Sequence, residues 1–274
     1  MKSCFHSVGL PARSLSEAIR MVAGAGYAAI ELNAETLPWA PAHITPDSSA
    51  EERRAVVAAC RAQGLAIPAV GAHIGMVGAD AGDRAAAIAF VDGCTDIARD
   101  VNAPIIHILS GPLADGVDRE TAWGWFRDAV ARTTDYASAQ GVVLGIEAIA
   151  GHVFHKVDDY HRLRRELPGV PFRVNFDPSH LAVQHEDPLR VVKELGDQVV
   201  HVHLKDGKGL YPNFEFPPLG KGVIDFPALV RGLRTAGYTG ALSVEYEAQV
   251  YGYRESEEDI LAGGKAFVDA LVAA

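Results

Sequence analysis

Val199-Val-His-Val-His-Leu-Lys205 alternates apolar and polar side chains with a period of two, the pattern of a β-strand. Val200, Val202 and Leu204 would face a layer of helices. His201, His203 and Lys205 would then face the other way, into an interior that accepts polar groups. The neighbouring stretches read alike. In Leu242-Ser-Val-Glu-Tyr-Glu247, Leu242, Val244 and Tyr246 face out while Ser243, Glu245 and Glu247 face in. In Phe172-Arg-Val-Asn-Phe-Asp177 the inner set is Arg173, Asn175 and Asp177. In Val142-Val-Leu-Gly-Ile-Glu147, Leu144 and Ile146 face out and Glu147 faces in.

Working outward, eight such runs alternate with stretches of helical period. The expected strands are Cys4–Val8, Ala28–Asn33, Ile67–His73, Ile105–Leu109, Val142–Glu147, Phe172–Asp177, Val199–Lys205 and Ala241–Glu247. Ser14-Leu-Ser-Glu17 and Ser48-Ser-Ala-Glu51 read as capping boxes that open helices. Asp187-Pro188 and Asp225-Phe-Pro227 place an acidic cap and a proline in a first turn. Gly26, Gly64, Gly141 and Gly237 each stand between a helix and a strand, as left-handed C-caps do. Eight βα units in 274 residues predict an α/β fold, a (β/α)8 TIM barrel occupying residues 1–274 as one domain. The rival, an open doubly wound sheet, would carry a glycine-rich dinucleotide turn after its first strand. Ser7-Val-Gly-Leu-Pro-Ala lacks one, and Gly220-Lys-Gly222 lacks the frame of a phosphate loop. The two long irregular stretches, about Thr36–Pro46 and Gly207–Gly222, follow strands and would lie on the active-site face.

Composition narrows the function. With 49% hydrophobic residues and 22% charged, the chain can bury a sizeable core. The net charge of −10 argues against an electrostatic nucleic-acid partner. The three cysteines, Cys4, Cys60 and Cys94, have no paired spacing, as expected of reduced thiols in a cytoplasmic protein. No signal peptide is expected before Arg13. The longest uncharged run, Leu65–Ala79, is too short and broken to span a bilayer.

Four consecutive strands thus carry an inward polar residue near the carboxyl end: Glu147, Asp177, His203 and Glu245. Uncompensated carboxylates inside a barrel would be costly. A divalent cation removes that cost. Three carboxylates and one imidazole suit Mn²⁺ best, with Mg²⁺ or Co²⁺ as alternatives. The competing reading is a web of ion pairs with Arg173, Lys205 and other basic residues.

The blocks Gly145-Ile-Glu147, Asn175-Phe-Asp-Pro-Ser-His180, His201-Val-His-Leu-Lys-Asp206, Pro218-Leu-Gly-Lys-Gly222 and Leu242-Ser-Val-Glu245 resemble the xylose-isomerase-like barrel superfamily. That group includes sugar isomerases and epimerases and, further off, endonuclease IV. The resemblance implies that Glu147, Asp177, His203 and Glu245 are metal ligands and that His180 hydrogen-bonds substrate or a bound water. Endonuclease IV uses further histidines, and Leu109-Ser-Gly111 stands where one of them is expected, so DNA repair is disfavoured. Ketose 3-epimerases usually carry an Asn-Arg-x-Glu type pattern after the first metal glutamate. Here Ala148-Ile-Ala-Gly-His152-Val-Phe-His155 follows instead. That segment is similar to C-glycoside deglycosidase α-subunits, lyases of 3-oxo-glycosides that need a small β-subunit.

The remaining aromatic and basic residues leave alternatives open. His73 and His6 either line the pocket or are satisfied core histidines. His201, one layer below His203, is read as structural. Trp39 either stacks on a sugar face or anchors its loop. Lys208, Tyr211, Phe214, Phe216 and Lys221 lie in a loop that either closes over a ligand or packs in a subunit interface.

The expected chemistry is proton abstraction next to a carbonyl, with the ion stabilising the enediolate. Glu147 and Glu245 would take and return the proton. His180 and Lys205 would polarise substrate oxygens. The leading function is a sugar isomerase or epimerase. The second is β-elimination from a 3-oxo-glycoside, with His155 or His152 as the added acid or base. A carbohydrate-binding barrel without turnover is the third. The partner is a small sugar or glycoside, with no membrane contact. Assembly is expected as a homo-oligomer, or as a hetero-oligomer with a small subunit under the second reading.

Overall fold

In a computed structural model that describes residues 1–273, eight parallel strands close into a barrel. They are β1 (Lys2–His6), β2 (Ala29–Asn33), β3 (Ala69–Gly71), β4 (Ile105–Ile108), β5 (Val143–Glu147), β6 (Arg173–Phe176), β7 (Val199–Leu204) and β10 (Ala241–Val244). Neighbours in sequence pair in order, and closure comes where β1 meets β10, with Phe5 opposite Val244. The (β/α)8 TIM-barrel expectation therefore holds.

Around the barrel run α1 (Leu15–Gly24), α2 (Ala50–Ala62), α3 (Ala81–Asp100), α4 (Arg119–Ala139), α5 (Val157–Glu166), α6 (Pro178–Ala182), α7 (Leu189–Leu195), α8 (Phe226–Thr235) and α9 (Glu257–Ala273). Their apolar stripes pack on the outer faces of the strands, where Ile30, Leu32, Ile106, Leu144, Val202 and Leu242 are buried. No helix among the described residues is long and apolar enough to cross a membrane.

The local signals mostly act where they were read. Ser14 and Glu17 form a capping box. The second box is Ser49 with Glu52, one residue later than Ser48–Glu51. The reason is local: the Ser48 hydroxyl accepts the Thr45 N–H at 3.1 Å and so closes the preceding turn instead. Asp225 caps α8 by accepting from Ala228 N, with Pro227 in the first turn. Asp187 accepts from Leu189 N at 2.9 Å. Gly26, Gly64, Gly141 and Gly237 all adopt positive φ, from +70° to +85°.

Two expectations need correcting. First, several strands stop short of their functional residues. Pairing ends at Gly71, Phe176, Leu204 and Val244, so His73, Asp177, Lys205, Glu245 and Glu247 lie just beyond. Released from the ladder, these residues can converge on the barrel axis. β1 likewise ends at His6, because Ser7–Gly9 forms a 3₁₀ turn. Second, the stretch after β7 is not wholly irregular. Lys208–Leu210 (β8) and Asn213–Glu215 (β9) pair as an antiparallel hairpin.

Asp206 fastens the loop that carries this hairpin. Its buried carboxylate accepts from the backbone N–H groups of Gly207 (2.9 Å), Gly220 (3.0 Å), Gly222 (2.9 Å) and Ile224 (3.3 Å). Gly222 has to be glycine, since a Cβ there would lie 2.1 Å from Asp206 Oδ1 and 2.4 Å from Gly207 O. This accounts for the Pro218-Leu-Gly-Lys-Gly222 block. Asp206→Ala would leave those N–H groups without their acceptor at a cost of about 3 kcal/mol. The expected fall in Tm, read by circular dichroism, is roughly 6–12 °C. Gly222→Ala should fall in the same direction. An unchanged Tm in both variants would show that the clamp contributes nothing.

Candidate active site and metal centre

The floor of the site is a carboxylate without access to water. Glu31, on β2, points into the barrel and is fully buried. Its oxygens meet His201 Nε2 at 2.8 Å, His203 Nε2 at 3.1 Å, His107 Nε2 at 2.5 Å and the Ser243 hydroxyl at 2.5 Å. His6 Nε2 lies 3.8 Å away. Burial pushes the Glu31 pKa up, yet His6, His201, His203 and His107 outweigh it and hold the carboxyl well below the usual range. His107 is pushed down to about 3, chiefly by burial. Gly71 makes room for this layer, because a Cβ there would come within 3.1 Å of the His107 ring.

One layer nearer the mouth, ligand atoms of Glu147, Asp177, His203 and Glu245 all lie within 4.8 Å of one another, and all four residues are buried. β5 delivers Glu147, β7 delivers His203, and the residues just past β6 and β10 are Asp177 and Glu245. Lys205 joins them. Its ammonium lies 2.7 Å from Glu245, 3.0 Å from Asp177 and 3.1 Å from Glu247. Arg173, the other expected partner, takes part in none of the ion pairs found among the described residues.

Electrostatics sort the carboxyls. Burial raises Glu147, but His203 and His73 outweigh it and hold it well below its ordinary value. Burial likewise opposes ionisation of Glu245, and His203 and Lys205 prevail. Asp177 is pushed up to about 6, mainly by burial and against the pull of Lys205. Glu247 rises to about 7, again mainly by burial and against the pull of Lys205.

The donor set fits a divalent cation. His203 Nδ1 faces Glu245 at 3.2 Å and Glu147 at 3.4 Å. It is buried with no hydrogen bond of good geometry, whereas Asp177 Oδ2 is already paired with the Lys205 ammonium at 3.0 Å. The far ring nitrogen of His203 is held by Glu31, the carboxylate–histidine arrangement that orients imidazole ligands.

Above this cluster lies a cavity of about 320 Å³. Of the residues expected to touch substrate, His73, His152, His180 and Lys205 line it, together with Glu147 and Glu245. His180 Nε2 sits 3.6 Å from Glu147, and burial holds its pKa well down. His152 is pushed down to about 4, again chiefly by burial. Two expected residues do not line the cavity. Trp39 is half-buried in its loop, and Leu37 takes the wall position. His155 turns away: its Nδ1 lies 2.8 Å from Arg119 and 3.3 Å from Asp159 at the start of α5.

Sequence reasoning missed other participants. Glu35 lines the cavity and binds His73 Nδ1 at 3.0 Å. Glu247 also lines it. His107 Nδ1 lies 2.7 Å from His73 Nε2. Strand alternation already placed Glu247 inward. Extending it to β2 would have placed Glu31 inward too. Glu35 follows β2 in a loop, and no periodic signal marks it.

Comparison with known proteins puts this geometry in context. The chain is 28% identical over 158 residues to the inosose dehydratase of Geobacillus thermodenitrificans (strain NG80-2), covering 51% of this chain and 52% of that protein. It is 25% identical over 146 residues to the 2-oxo-tetronate isomerase of Cupriavidus necator, covering 52% and 54%. The aligned part thus spans about half the length of these two relatives. A crystal structure of the IolI protein with a bound zinc atom superimposes with a TM-score of 0.81 at 16% identity, covering 100% of this chain and 98% of that one. The sequence profile of the family described as xylose isomerase-like TIM barrel matches residues 19–269. That match runs from within α1 to within α9, and the chain belongs to the xylose isomerase-like TIM barrel family.

Proposed function

We propose that the protein is a divalent-metal-dependent isomerase or epimerase that removes the proton next to the carbonyl of a sugar or sugar derivative. The observation that carries this reading is the convergence of Glu147, Asp177, His203 and Glu245 at the base of the cavity. These four residues would hold the ion, with Mn²⁺ the best match to the donor set. The zinc atom in the IolI structure is an instance of a divalent ion in a protein of this fold. When bound, the ion would supply Lewis-acid stabilisation of the negative charge developing on the carbonyl oxygen.

The side chains divide the remaining work. Glu147 is held ionised by His203 and His73 and is available as a base. Glu245 is the second carboxylate beside the substrate. One takes the proton from the carbon next to the carbonyl. A proton then goes back, from the same carboxyl to the neighbouring carbon for isomerisation, or from the other carboxyl, which must enter the step protonated, to the opposite face for epimerisation. His180 and the Lys205 ammonium would hydrogen-bond substrate oxygens. Burial of the whole set keeps water from competing for these contacts.

A second reading starts from the same proton abstraction and ends in β-elimination, as on a 3-oxo-glycoside. Two observations favour keeping it: His152 lines the cavity, and one of the relatives is named a dehydratase. In that reaction His152, not His155, is the added acid–base group.

Metal should stabilise the folded chain by binding it in preference to the unfolded one. Chelator is expected to lower Tm and added Mn²⁺ to raise it. No shift in either direction, with no metal by elemental analysis, would rule out the four-residue site. Glu147→Gln and Glu245→Gln should each lower kcat by about 10²-fold or more on a keto sugar in the presence of Mn²⁺. Near wild-type turnover in either variant would remove that residue from the mechanism. His152→Ala separates the two readings. Loss of aglycone release from a 3-oxo-glycoside, with His155→Ala active, supports elimination. Unimpaired interconversion of a free keto sugar in both variants supports isomerisation.

A further inference from the structure

We propose that the cavity selects uncharged keto sugars and rejects their phosphorylated or carboxylate-bearing counterparts. This rests on the proposed carbonyl chemistry and goes on to name the substrate class. The first support is the balance of charge around the ligand. Four carboxylates line the cavity, Glu35, Glu147, Glu245 and Glu247, and Asp177 lies just beneath them. No arginine lines it among the described residues. The one lysine, Lys205, is already in contact with Glu245, Asp177 and Glu247 at 2.7–3.1 Å. His73 is held between Glu35 at 3.0 Å and Glu147 at 3.4 Å. A divalent ion would offset two of the five carboxylates, and Lys205 and His73 are already paired with the others, so no cation would be left free to meet an incoming anion while Glu35 and Glu247 stay on the wall.

The second support is the state of the backbone groups that bind phosphate in other barrels. Helix N-termini stand beside the carboxyl ends of the strands, and their N–H groups and dipoles attract anions. Here α3, α4, α6 and α8 are each capped by their own aspartate: Asp80, Asp118, Asp177 and Asp225. Barrel enzymes often form a phosphate cradle in the loops after the seventh and eighth barrel strands. In this chain the loop after β7 does form a cradle of converging N–H groups, from Gly207, Gly220, Gly222 and Ile224. Its occupant is the carboxylate of Asp206. These N–H groups are therefore taken up by the chain's own carboxylate, and none of the residues that supply them lines the cavity, so they are not available to a substrate phosphate.

The test is calorimetric titration of Mn²⁺-loaded protein with matched pairs: D-fructose against D-fructose 6-phosphate, and D-ribulose against D-ribulose 5-phosphate. The uncharged member of each pair is expected to bind at least tenfold more tightly. The double variant Glu35→Gln, Glu247→Gln should narrow that preference at least threefold. Equal or tighter binding of the phosphates would overturn the inference and leave the proposed carbonyl chemistry standing. An undiminished preference in the double variant would overturn the role given to those two carboxylates. If no member of either pair binds although Mn²⁺ shifts Tm, the keto-sugar reading fails and this inference fails with it.

Discussion

Glu31 is a carboxylate placed where water cannot reach it, and the interior of the barrel is arranged around that fact. An unpaired charge there would cost several kcal/mol. Three imidazoles and the Ser243 hydroxyl instead converge on its two oxygens. These donors come from β4, β7 and β10, so a single side chain on β2 ties together strands on different sides of the barrel. The arrangement also determines which nitrogen of His203 points where. With Nε2 directed at Glu31, Nδ1 is left facing Glu147 and Glu245. The imidazole is therefore presented to the acidic cluster in one orientation, and the floor layer prepares the layer above it.

That upper layer contains more negative charge than it neutralises by itself. Lys205 compensates part of it, in contact with three carboxylates. It forms no ion pair with Glu147, which faces His203 Nδ1 and His73 Nε2 instead, each at 3.4 Å. Ion pairing and metal binding were opposed readings of the sequence, but the geometry accommodates both. Lys205 sits on the Glu247 side of the cluster, where it holds Glu245 and Asp177. Glu147 and His203 keep their remaining donor atoms turned toward the same centre.

Much of this was legible because strands alternate. The period-two reading of Val199–Lys205 put His201, His203 and Lys205 inside, where they are. The same rule aligned Glu147, Asp177 and Glu245. The rule extends to β2, Ala-Ile-Glu-Leu-Asn, where Ile30 and Leu32 face the helices and Glu31 faces the interior. What it does not contain is the convergence of groups from β4, β7 and β10 on that one carboxylate. More than a few residues past the strand ends, alternation gives no guidance. His152 and His155 are three residues apart in one loop. One lines the cavity while the other faces Arg119 and Asp159. Trp39 and Leu37 differ in the same way. Side-chain direction in such segments follows from tertiary contacts that no local pattern records.

Those tertiary contacts make the rim of the cavity a connected unit. His152 is bridged through its backbone to Pro112, in the loop after β4. The residue before it, Gly151, has a φ of +81° and lies directly under the ring of Tyr211, so close that a Cβ would come within 2.7 Å of the ring. Tyr211 belongs to the turn of the hairpin that follows β7, and its ring stacks near Phe214. Phe214 in turn adjoins Phe216, which meets the edge of His180 at a centroid distance of 4.9 Å and lies under the Lys205 ammonium. A chain of contacts thus runs from the loop after β4, past His152 and the hairpin, back to His180 and Lys205. The charged base of the site is fixed by strands. Its mouth is braced in part by these three loops, while Glu35 and Glu247 reach it from the loops after β2 and β10, so the walls of the cavity stand on the most adaptable part of the fold.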